Sequence, residues 1–265
     1  MTLKNQIRLA GLGLSLAMLL FVSCATTQTS EDEPRKNLSK HDKAMLHLQV
    51  ANAAIMEGDI AAAFQNLKAA EELDSNIPEI FHSRAVAYSL KKELPAAIAA
   101  ARKALEIRPS FTKAANTLGK LLMDNGSLNE AEKYLLQASA DETNNEAFKA
   151  DTNLGILYYR KSEYKKAEKF LNRAILQGKL GSCVAHYYRG HLALKDGKFQ
   201  NAITDYEKAT QKVCANFGEA HLALGIAYER NHELEKARKK FLSIDQTFPK
   251  SKVAEQALIR LKAIP

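Results

Sequence analysis

The stretch NTLGKLLMDNGSLNEAEKYLLQAS, residues 116–139, recurs in altered form along this chain. In each copy, apolar residues at helical spacing form two runs that a short polar turn separates. Self-similarity at a fixed period constrains the fold of a chain more strongly than any local signal. The three clearest further copies are TNLGILYYRKSEYKKAEKFLNRAI (152–175), YYRGHLALKDGKFQNAITDYEKAT (187–210) and LALGIAYERNHELEKARKKFLSI (222–244).

Several series of residues hold the same period through six copies. The first series is alanine, at intervals of 34, 34, 36, 35 and 35 residues: Ala63, Ala97, Ala131, Ala167, Ala202 and Ala237. A second small residue lies twelve positions upstream of each: Ala51, Ala85, Gly119, Gly155, Gly190 and Gly225. A third lies seven positions downstream until Ile244 breaks the series: Ala70, Ala104, Ala138, Ala174 and Ala209. Four positions after each first-series alanine comes a larger apolar residue, except at Ala101: Leu67, Leu135, Leu171, Tyr206 and Phe241. Because small residues at matched heights let antiparallel helices approach closely, each copy is predicted to be a helical hairpin.

The turns inside these hairpins support the same interpretation. Gly58, Gly126 and Gly197 stand where a helix would end in a left-handed residue, and Lys92 takes that place in the second copy. A single hairpin cannot bury its own apolar face, so neighbouring hairpins must stack.

This pattern resembles the tetratricopeptide repeat, and the resemblance covers about 44–251. It implies an all-α fold, namely a right-handed superhelical solenoid of six helical hairpins plus a C-terminal capping helix at about 251–263. The repeats of this domain, residues 41–265, are expected at about 44–77, 78–111, 112–145, 148–181, 183–216 and 218–251.

The first 40 residues predict export and a lipid anchor. Residues 1–23 have a basic start and an apolar run that is too short to span a membrane, as in a signal peptide. The segment from Leu20 to Cys24 resembles the bacterial lipobox, although Phe21 replaces its usual leucine. The resemblance implies that Cys24 carries lipid, and the lack of aspartate after it favours the outer membrane, with the body in the periplasm. An ordinary signal peptide or an uncleaved anchor is the alternative. Residues 24–40 are too polar to bury much surface and should form a flexible tether.

The composition argues against nucleic-acid binding and catalysis. The net charge is +8, or +6 without residues 1–23, and the basic residues are spread among acidic ones; tryptophan is absent. The sequence contains no H-E-x-x-H or G-x-S-x-G motif. We therefore expect no enzyme, no metal, no small-molecule substrate and no cofactor other than the lipid on Cys24.

The other two cysteines have three possible states. Cys183 begins the first helix of repeat five and Cys214 follows its second, so a disulfide is geometrically plausible in an oxidising compartment. Two buried thiols are the second state, and a metal site that includes His186 is the third, although a fourth ligand is missing. His186 shares one repeat position with His47 and His221, and we expect all three to be packing residues.

The first helices of the repeats should line the inner wall of the solenoid, which is the usual binding surface. Its apolar and polar mixture suits an amphipathic helix or an extended peptide, although packing on neighbouring repeats is an alternative role. The candidate groove residues in repeats one to three are Met45, Leu48, Asn52, Ile55, His82, Val86, Lys113, Asn116 and Lys120. Further inner positions are Glu79, Ser89, Met123, Thr152, Ile156, Tyr159, Tyr187, His191, Leu194, Leu222, Ile226 and Glu229.

A lipobox, a polar tether and six repeats that fill the chain together look like the type IV pilus pilotins, the PilF/PilW and Tgl-like family of outer-membrane lipoproteins. That resemblance implies a non-catalytic protein that binds secretin subunits and promotes their outer-membrane targeting and multimerisation. It also favours repeats one to three for the contact. The alternatives are a general envelope scaffold that recruits peptidoglycan synthases or hydrolases, and an enzyme hidden in the solenoid.

Overall fold

A computed structural model of the protein describes residues 38–141, 146–178 and 181–264. The predicted signal peptide, Cys24 and nearly all of the predicted tether lie outside the described residues. Within the described part of the chain, the regular structure is entirely helical.

Thirteen α-helices are found in these residues, joined by short turns. Their bounds are α1 Lys40–Glu57, α2 Ile60–Leu73, α3 Pro78–Leu90, α4 Leu94–Ile107, α5 Thr112–Asp124, α6 Leu128–Ser139, α7 Ala147–Arg160, α8 Tyr164–Gly178, α9 Cys183–Lys195, α10 Phe199–Lys208, α11 Gly218–Arg230, α12 Leu234–Thr247 and α13 Lys252–Ala263. Consecutive helices pack as six hairpins, from α1 with α2 to α11 with α12, and α13 packs on α11 and α12. The predicted fold class, a solenoid of six tetratricopeptide hairpins with a further helix at its end, is confirmed.

The small-residue series form the contact between the two helices of each hairpin. Gly119 shows why glycine is needed, because a Cβ atom at this position would lie only 2.5 Å from Cγ of Leu135. The same approach recurs between Gly190 and Tyr206, where the distance to Cε1 would again be 2.5 Å. The larger apolar residue of each later repeat therefore fills the space that the missing side chain leaves.

The turn inside each hairpin uses one residue in the left-handed region of φ. In three repeats this residue is glycine, and in the other three it is not. The φ values are 82° at Gly58, 62° at Lys92, 81° at Gly126, 60° at Ser162, 72° at Gly197 and 60° at His232. The geometry is thus common to all six repeats even where the sequence lacks glycine.

The hairpins stack so that the first helices form one layer. Each of α1, α3, α5 and α7 packs against the next first helix along the chain, and α11 packs against α13. The packing is weaker between α9 and α11. In repeat five, α10 ends early at Lys208, and a short 3-10 helix, Lys212–Cys214, precedes α11.

The two ends of the stack differ. At one end, Ser39 caps α1 in a capping box with Asp42. At the other end, Ala254 and Ala257 of α13 complete the core around Phe241. Among the helices that the structure describes, none has both the length and the apolar composition needed to cross a bilayer.

Candidate partner-binding face

The candidate site is the inner face, which we define as the surface that the first helices of the repeats present at the predicted inward positions. In repeats one to four, polar side chains at inward positions are hydrogen-bonded to the first helix of the next repeat. These bonds join Ser83 Oγ to Asn52 Oδ1 (2.6 Å), His82 Nε2 to Thr117 Oγ1 (3.0 Å) and Asn153 Nδ2 to Asn116 Oδ1 (2.9 Å). Much of the polar character of this half therefore serves the contact between repeats.

Two predicted inner residues are corrected by the structure. Leu48 is only 3% exposed and belongs to the core with Ala51 and Ile80, so it cannot line an open groove. Met123 is 4% exposed and packs in the central core for the same reason. Each is an apolar side chain that the next hairpin covers when the repeats stack.

The remaining predicted groove residues of repeats one to three keep some access to solvent. Met45, Ile55 and Val86 are half-buried, whereas Lys113 and Lys120 are exposed. They offer scattered contact points, and none of them lines the cavities described below.

His82 is a neutral member of this half of the face. Burial, aided by the positive charge of Lys113, lowers the pKa of His82 to about 4. Its ring also meets Phe111 edge-on, with centroids 5.4 Å apart. His82 therefore acts as a packing and hydrogen-bonding residue between repeats two and three.

Repeats four and five present a cluster of aromatic rings at the same face. Tyr187 is central: its ring centroid lies 4.3 Å from that of His191 and 5.4 Å from that of Tyr188. Tyr159 of the preceding repeat lies 5.5 Å from Tyr188 and 6.2 Å from His191. Tyr206, from the second helix of repeat five, completes the group 5.6 Å from His191. These five residues are called the aromatic cluster below.

Burial fixes the protonation of the aromatic cluster. It lowers the pKa of His191 to about 4 and raises the pKa of Tyr187 to about 12. Burial also raises the pKa of Tyr206, so its hydroxyl stays protonated, and it is hydrogen-bonded to Nδ1 of His191 at 2.8 Å. Tyr187, His191 and Tyr206 are therefore uncharged at neutral pH.

A cavity of about 420 Å³ opens beside the aromatic cluster. Two of its lining side chains, Lys195 and Arg230, are cationic, and none is acidic. Lys195 Nζ lies 4.7 Å from the ring centroid of Tyr164, a cation–π contact. The full lining is Tyr159, Tyr164, His191, Leu194, Lys195, Phe199, Ile226 and Arg230. Such a cavity suits a large apolar side chain that lies next to a carboxylate on a bound peptide.

A larger cavity of about 760 Å³ lies between α8, α9 and α10. Arg189 and Asp205 in its wall bind each other at 2.5 Å, and Arg189 also donates to Asn172 at 2.8 Å. Arg189 thus links α9 to α10 of its own hairpin and to α8 of the preceding hairpin, so these polar groups serve the packing of the helices.

The three histidines that share one repeat position each bond the second helix of their own hairpin. The contacts are His47 Nδ1 to Asn66 Oδ1 (3.0 Å), His186 Nδ1 to Asp205 Oδ1 (2.9 Å) and His221 Nδ1 to Lys240 Nζ (2.8 Å). Burial alone would raise the pKa of Asp205, but the hydrogen bonds from His186 and Arg189 lower it overall. The described residues contain no group of three or more side chains placed to hold a metal ion.

The structure joins Cys183 to Cys214 in a disulfide, with the Cα atoms 5.6 Å apart. Of the three states that the sequence left open, this one makes both sulfurs unavailable as metal ligands. The bond ties the start of α9 to the short 3-10 helix, so it holds together the one hairpin whose second helix ends early.

The sequence located the inner positions of repeats four to six but missed their convergence. The sequence assigns inner positions to Tyr159, His191, Leu194 and Ile226. It nevertheless favours repeats one to three for the contact with the partner. The available signal was a basic residue at the last position of the first helix in three successive repeats: Arg160, Lys195 and Arg230. Arg160 is used internally, since it donates to the carbonyl oxygen of Met123 at 3.0 Å.

Comparison with known families agrees with this architecture. Two family models, both described as tetratricopeptide repeat, match residues 90–150 and 187–252. The chain is 26% identical over 218 residues to DnaJ homolog subfamily C member 3 of Bos taurus, which covers 76% of this chain and 42% of that protein. The chain therefore spans less than half the length of that relative.

Two solved structures are similar over nearly their whole length. PilF of Pseudomonas aeruginosa superposes with a TM-score of 0.71 at 18% identity, which covers 83% of this chain and 99% of PilF. PilW, described as a widely conserved type IV pilus biogenesis factor, gives a TM-score of 0.73 at 20% identity, with 81% and 98% covered. At these identities the likeness establishes the fold.

Proposed function

Because this chain is a tetratricopeptide-repeat protein, a class whose stacked hairpins bind protein partners, we propose that it is a pilotin that binds secretin subunits. In this proposal the lipid on Cys24 holds the protein at the periplasmic face of the outer membrane. The inner face takes a segment of the unassembled secretin and promotes its targeting and multimerisation for type IV pilus biogenesis. The protein acts through binding and placement, without catalysis.

The observation that carries the proposal is the cavity beside the aromatic cluster. Its walls combine aromatic and aliphatic side chains with Lys195 and Arg230, for which no ion pair with a carboxylate is found among the described residues. Aromatic residues on a rigid support give large contact area at low entropic cost, and unpaired cations at the rim select an acidic partner. A peptide segment with an apolar side chain next to an aspartate or glutamate satisfies both requirements.

The predicted anchor explains how a modest binding site would suffice. Three acyl chains on Cys24 would hold the protein firmly, since each buried methylene contributes ~0.8 kcal/mol. Confinement to one membrane surface raises the effective concentration of the site for secretin subunits that arrive there. The polar segment that follows Cys24 would set the reach of the solenoid from the membrane.

The fold likeness to PilF and PilW supports the assignment to pilus biogenesis, because PilW is described as a factor of that process. The half of the inner face in repeats one to three, with Met45, Ile55 and Val86 still partly accessible, extends the surface along which a longer segment could lie.

The proposal is tested in a deletion strain that is complemented with the wild-type gene or with Cys24→Ser. Loss of the protein should leave secretin monomers in place of multimers and abolish twitching motility. Cys24→Ser should release the protein from the outer-membrane fraction and reproduce most of that defect. Normal secretin multimers in the deletion strain, combined with an altered cell wall, would overturn the proposal in favour of an envelope scaffold.

A further inference from the structure

The two ends of the solenoid differ, and one side of α1 exposes apolar residues. Leu46 and Val50 of α1 are 48% and 52% exposed, and Ala53 beside them is exposed as well. These residues lie at i, i+4 and i+7, so they form one stripe along the helix. We call this stripe the end face. It is separate from the cavity beside the aromatic cluster.

The repeat itself shows what such a stripe normally contacts. The residues that correspond to Leu46 in repeats two to six are all buried: Ile80, Ala114, Ala150, Ala185 and Ala220. The residues that correspond to Ala53 are buried too: Ala87, Leu121, Leu157, Leu192 and Ala227. In every later repeat, the stripe packs against the second helix of the preceding hairpin, and α1 has no preceding hairpin in the described residues.

The residues that correspond to Val50 also contact the preceding hairpin, and they are either leucine or arginine. Where the residue is leucine it is buried, at Leu118, Leu154 and Leu224. Where it is arginine, its guanidinium bonds the preceding second helix. Arg84 donates to Glu71 of α2 at 2.5 Å, and Arg189 donates to Asn172 of α8 at 2.8 Å.

The internal interfaces also define the shape of the missing element. In four of the five internal interfaces, the residue that corresponds to Leu46 shares a buried cluster with an alanine of the preceding second helix. The pairs are Ile80 with Ala70, Ala114 with Ala104, Ala150 with Ala138 and Ala185 with Ala174. The stripe is thus matched by a small residue on the second helix that packs against it.

From this comparison we propose that the end face binds an amphipathic α-helix of another polypeptide, which stacks on α1 as the second helix of a hairpin would. The partner helix presents alanine or another small residue opposite Leu46, covers Val50, and is about three turns long to match the stripe. Its contact continues the interface that already joins five pairs of repeats in this chain.

Two other occupants fit the end face less well. Residues 1–23 are absent from the mature chain in the function proposed above, on which this exclusion rests, and residues 25–37 contain no large apolar side chain that could complete the buried stripe. A second copy stacked head to tail would offer α13, whose exposed Leu258 and Ile259 are large where a small residue is needed. A helix from a different protein meets the requirement without either conflict.

The probe for the test is a peptide of residues 60–73, the sequence of α2, held helical by a lactam bridge on its solvent side. A bridge is needed because a helix of this length is marginal in isolation. The peptide is titrated into the ¹⁵N-labelled full chain, and the amide shifts of α1 are followed. The expected result is saturable shift changes at Leu46, Val50 and Ala53, with a weaker response to a peptide that carries Ala70→Leu.

The matched variants decide the outcome. Leu46→Glu with Val50→Glu should weaken binding by about tenfold or more, because both side chains lose their apolar contact. Met56→Glu should leave binding unchanged, since Met56 is 89% exposed and its counterparts Leu90, Asp124, Arg160, Lys195 and Arg230 are exposed too. All the substituted residues are exposed, so thermal unfolding should be unaffected.

Three results with the full chain would overturn the proposal, and a fourth could come from a chain without residues 1–23. The three are α1 amides that do not respond up to the solubility limit of the peptide, equal binding by the double variant, and self-association of the wild-type chain that the double variant abolishes. The last would assign the end face to a second copy. A change in the α1 shifts on removal of residues 1–23 would assign it to the chain's own leading segment, which also contradicts the proposal.

Discussion

At the scale of single residues, Gly119 and Leu135 show how the repeated sequence pattern produces close packing of two helices. The sequence predicted both the small-residue series and the larger apolar residue beside it, and the structure brings the two within contact distance in the four hairpins where the small residue is glycine. The sequence could not predict the exposure of residues such as Leu48, because their burial depends on how closely the next hairpin stacks. Side-chain periodicity identifies the face on which a residue lies, whereas its exposure is set by the neighbouring repeat.

A first prediction concerns this close approach. Gly119→Ala places a Cβ atom against Leu135 and should destabilise the protein by about 1–3 kcal/mol through overpacking. Leu135→Ala alone should cost about 2–5 kcal/mol through the cavity that it leaves. Because the new Cβ fills part of that cavity, the double variant should cost clearly less than the sum in urea unfolding. Strict additivity would show that the two residues do not share the space.

A second prediction concerns the neutral histidines. The pKa of His191 falls from 6.5 to about 4 on folding, so between these values the unfolded chain binds a proton that the native state does not. Stability must therefore fall as the pH falls through this window, by about 2 kcal/mol between about pH 7.5 and pH 5 for each such histidine.

Urea unfolding at the two pH values tests this prediction with His191→Gln. The variant should lose about 2 kcal/mol less than the wild type on acidification, and His82→Gln should behave in the same way because its pKa is lowered to a similar value. An unchanged pH dependence in both variants would mean that these rings are protonated in the native state.

At the scale of elements, the turn inside each hairpin is more uniform than the sequence. Three glycines marked a left-handed residue, but Ser162 and His232 gave no such signal, since their side chains do not favour this conformation. The early end of α10 was also not predictable, because the alanine series continues through Ala209 without a break. Tertiary packing of the repeat overrides local preference at these points.

A third prediction follows from the strained turn residues. Replacing Lys92, Ser162 or His232 by glycine should each stabilise the protein by about 0.5–1 kcal/mol, because glycine adopts positive φ without the Cβ penalty. Gly126→Ala should have the opposite effect, and purely through the backbone, since a Cβ atom there would meet nothing within 4 Å. Thermal unfolding measures both directions, and stabilisation by Gly126→Ala would contradict the argument.

A fourth prediction concerns the disulfide in repeat five. Its partners are 31 residues apart, so the chain-entropy model gives a contribution of about 3–4 kcal/mol. Cys183→Ser with Cys214→Ser should lower the free energy of unfolding by roughly that amount, and reductant should do the same to the wild type. Reductant should leave the double variant unchanged; a reductant effect on that variant would point to another cause.

At the scale of the whole molecule, the sequence predicted the architecture and the existence of an inner face. It did not predict which half of that face would be open. Polar residues of repeats one to four bond one another between repeats, whereas a cavity of about 420 Å³ opens beside the aromatic cluster in repeats four to six. Such a division depends on the stacking geometry of each pair of hairpins, which no single repeat encodes.

The cations of the cavity allow the inner face to be tested without disturbing the core. Lys195 and Arg230 are exposed, so Lys195→Glu with Arg230→Glu reverses the charge of the rim and leaves the packed residues in place. Lys169→Glu with Lys239→Glu makes the same change in net charge at exposed positions of α8 and α12, and serves as the matched control.

The most direct measurement is the dissociation constant of the complex between the full chain and the unassembled secretin subunit of the same cell, for the wild type and these two double variants. The account predicts that reversal of the cavity charges weakens binding by about tenfold or more, while the control pair changes it by less than about threefold. Equal affinities for all three proteins, or no complex with the wild type, would contradict it.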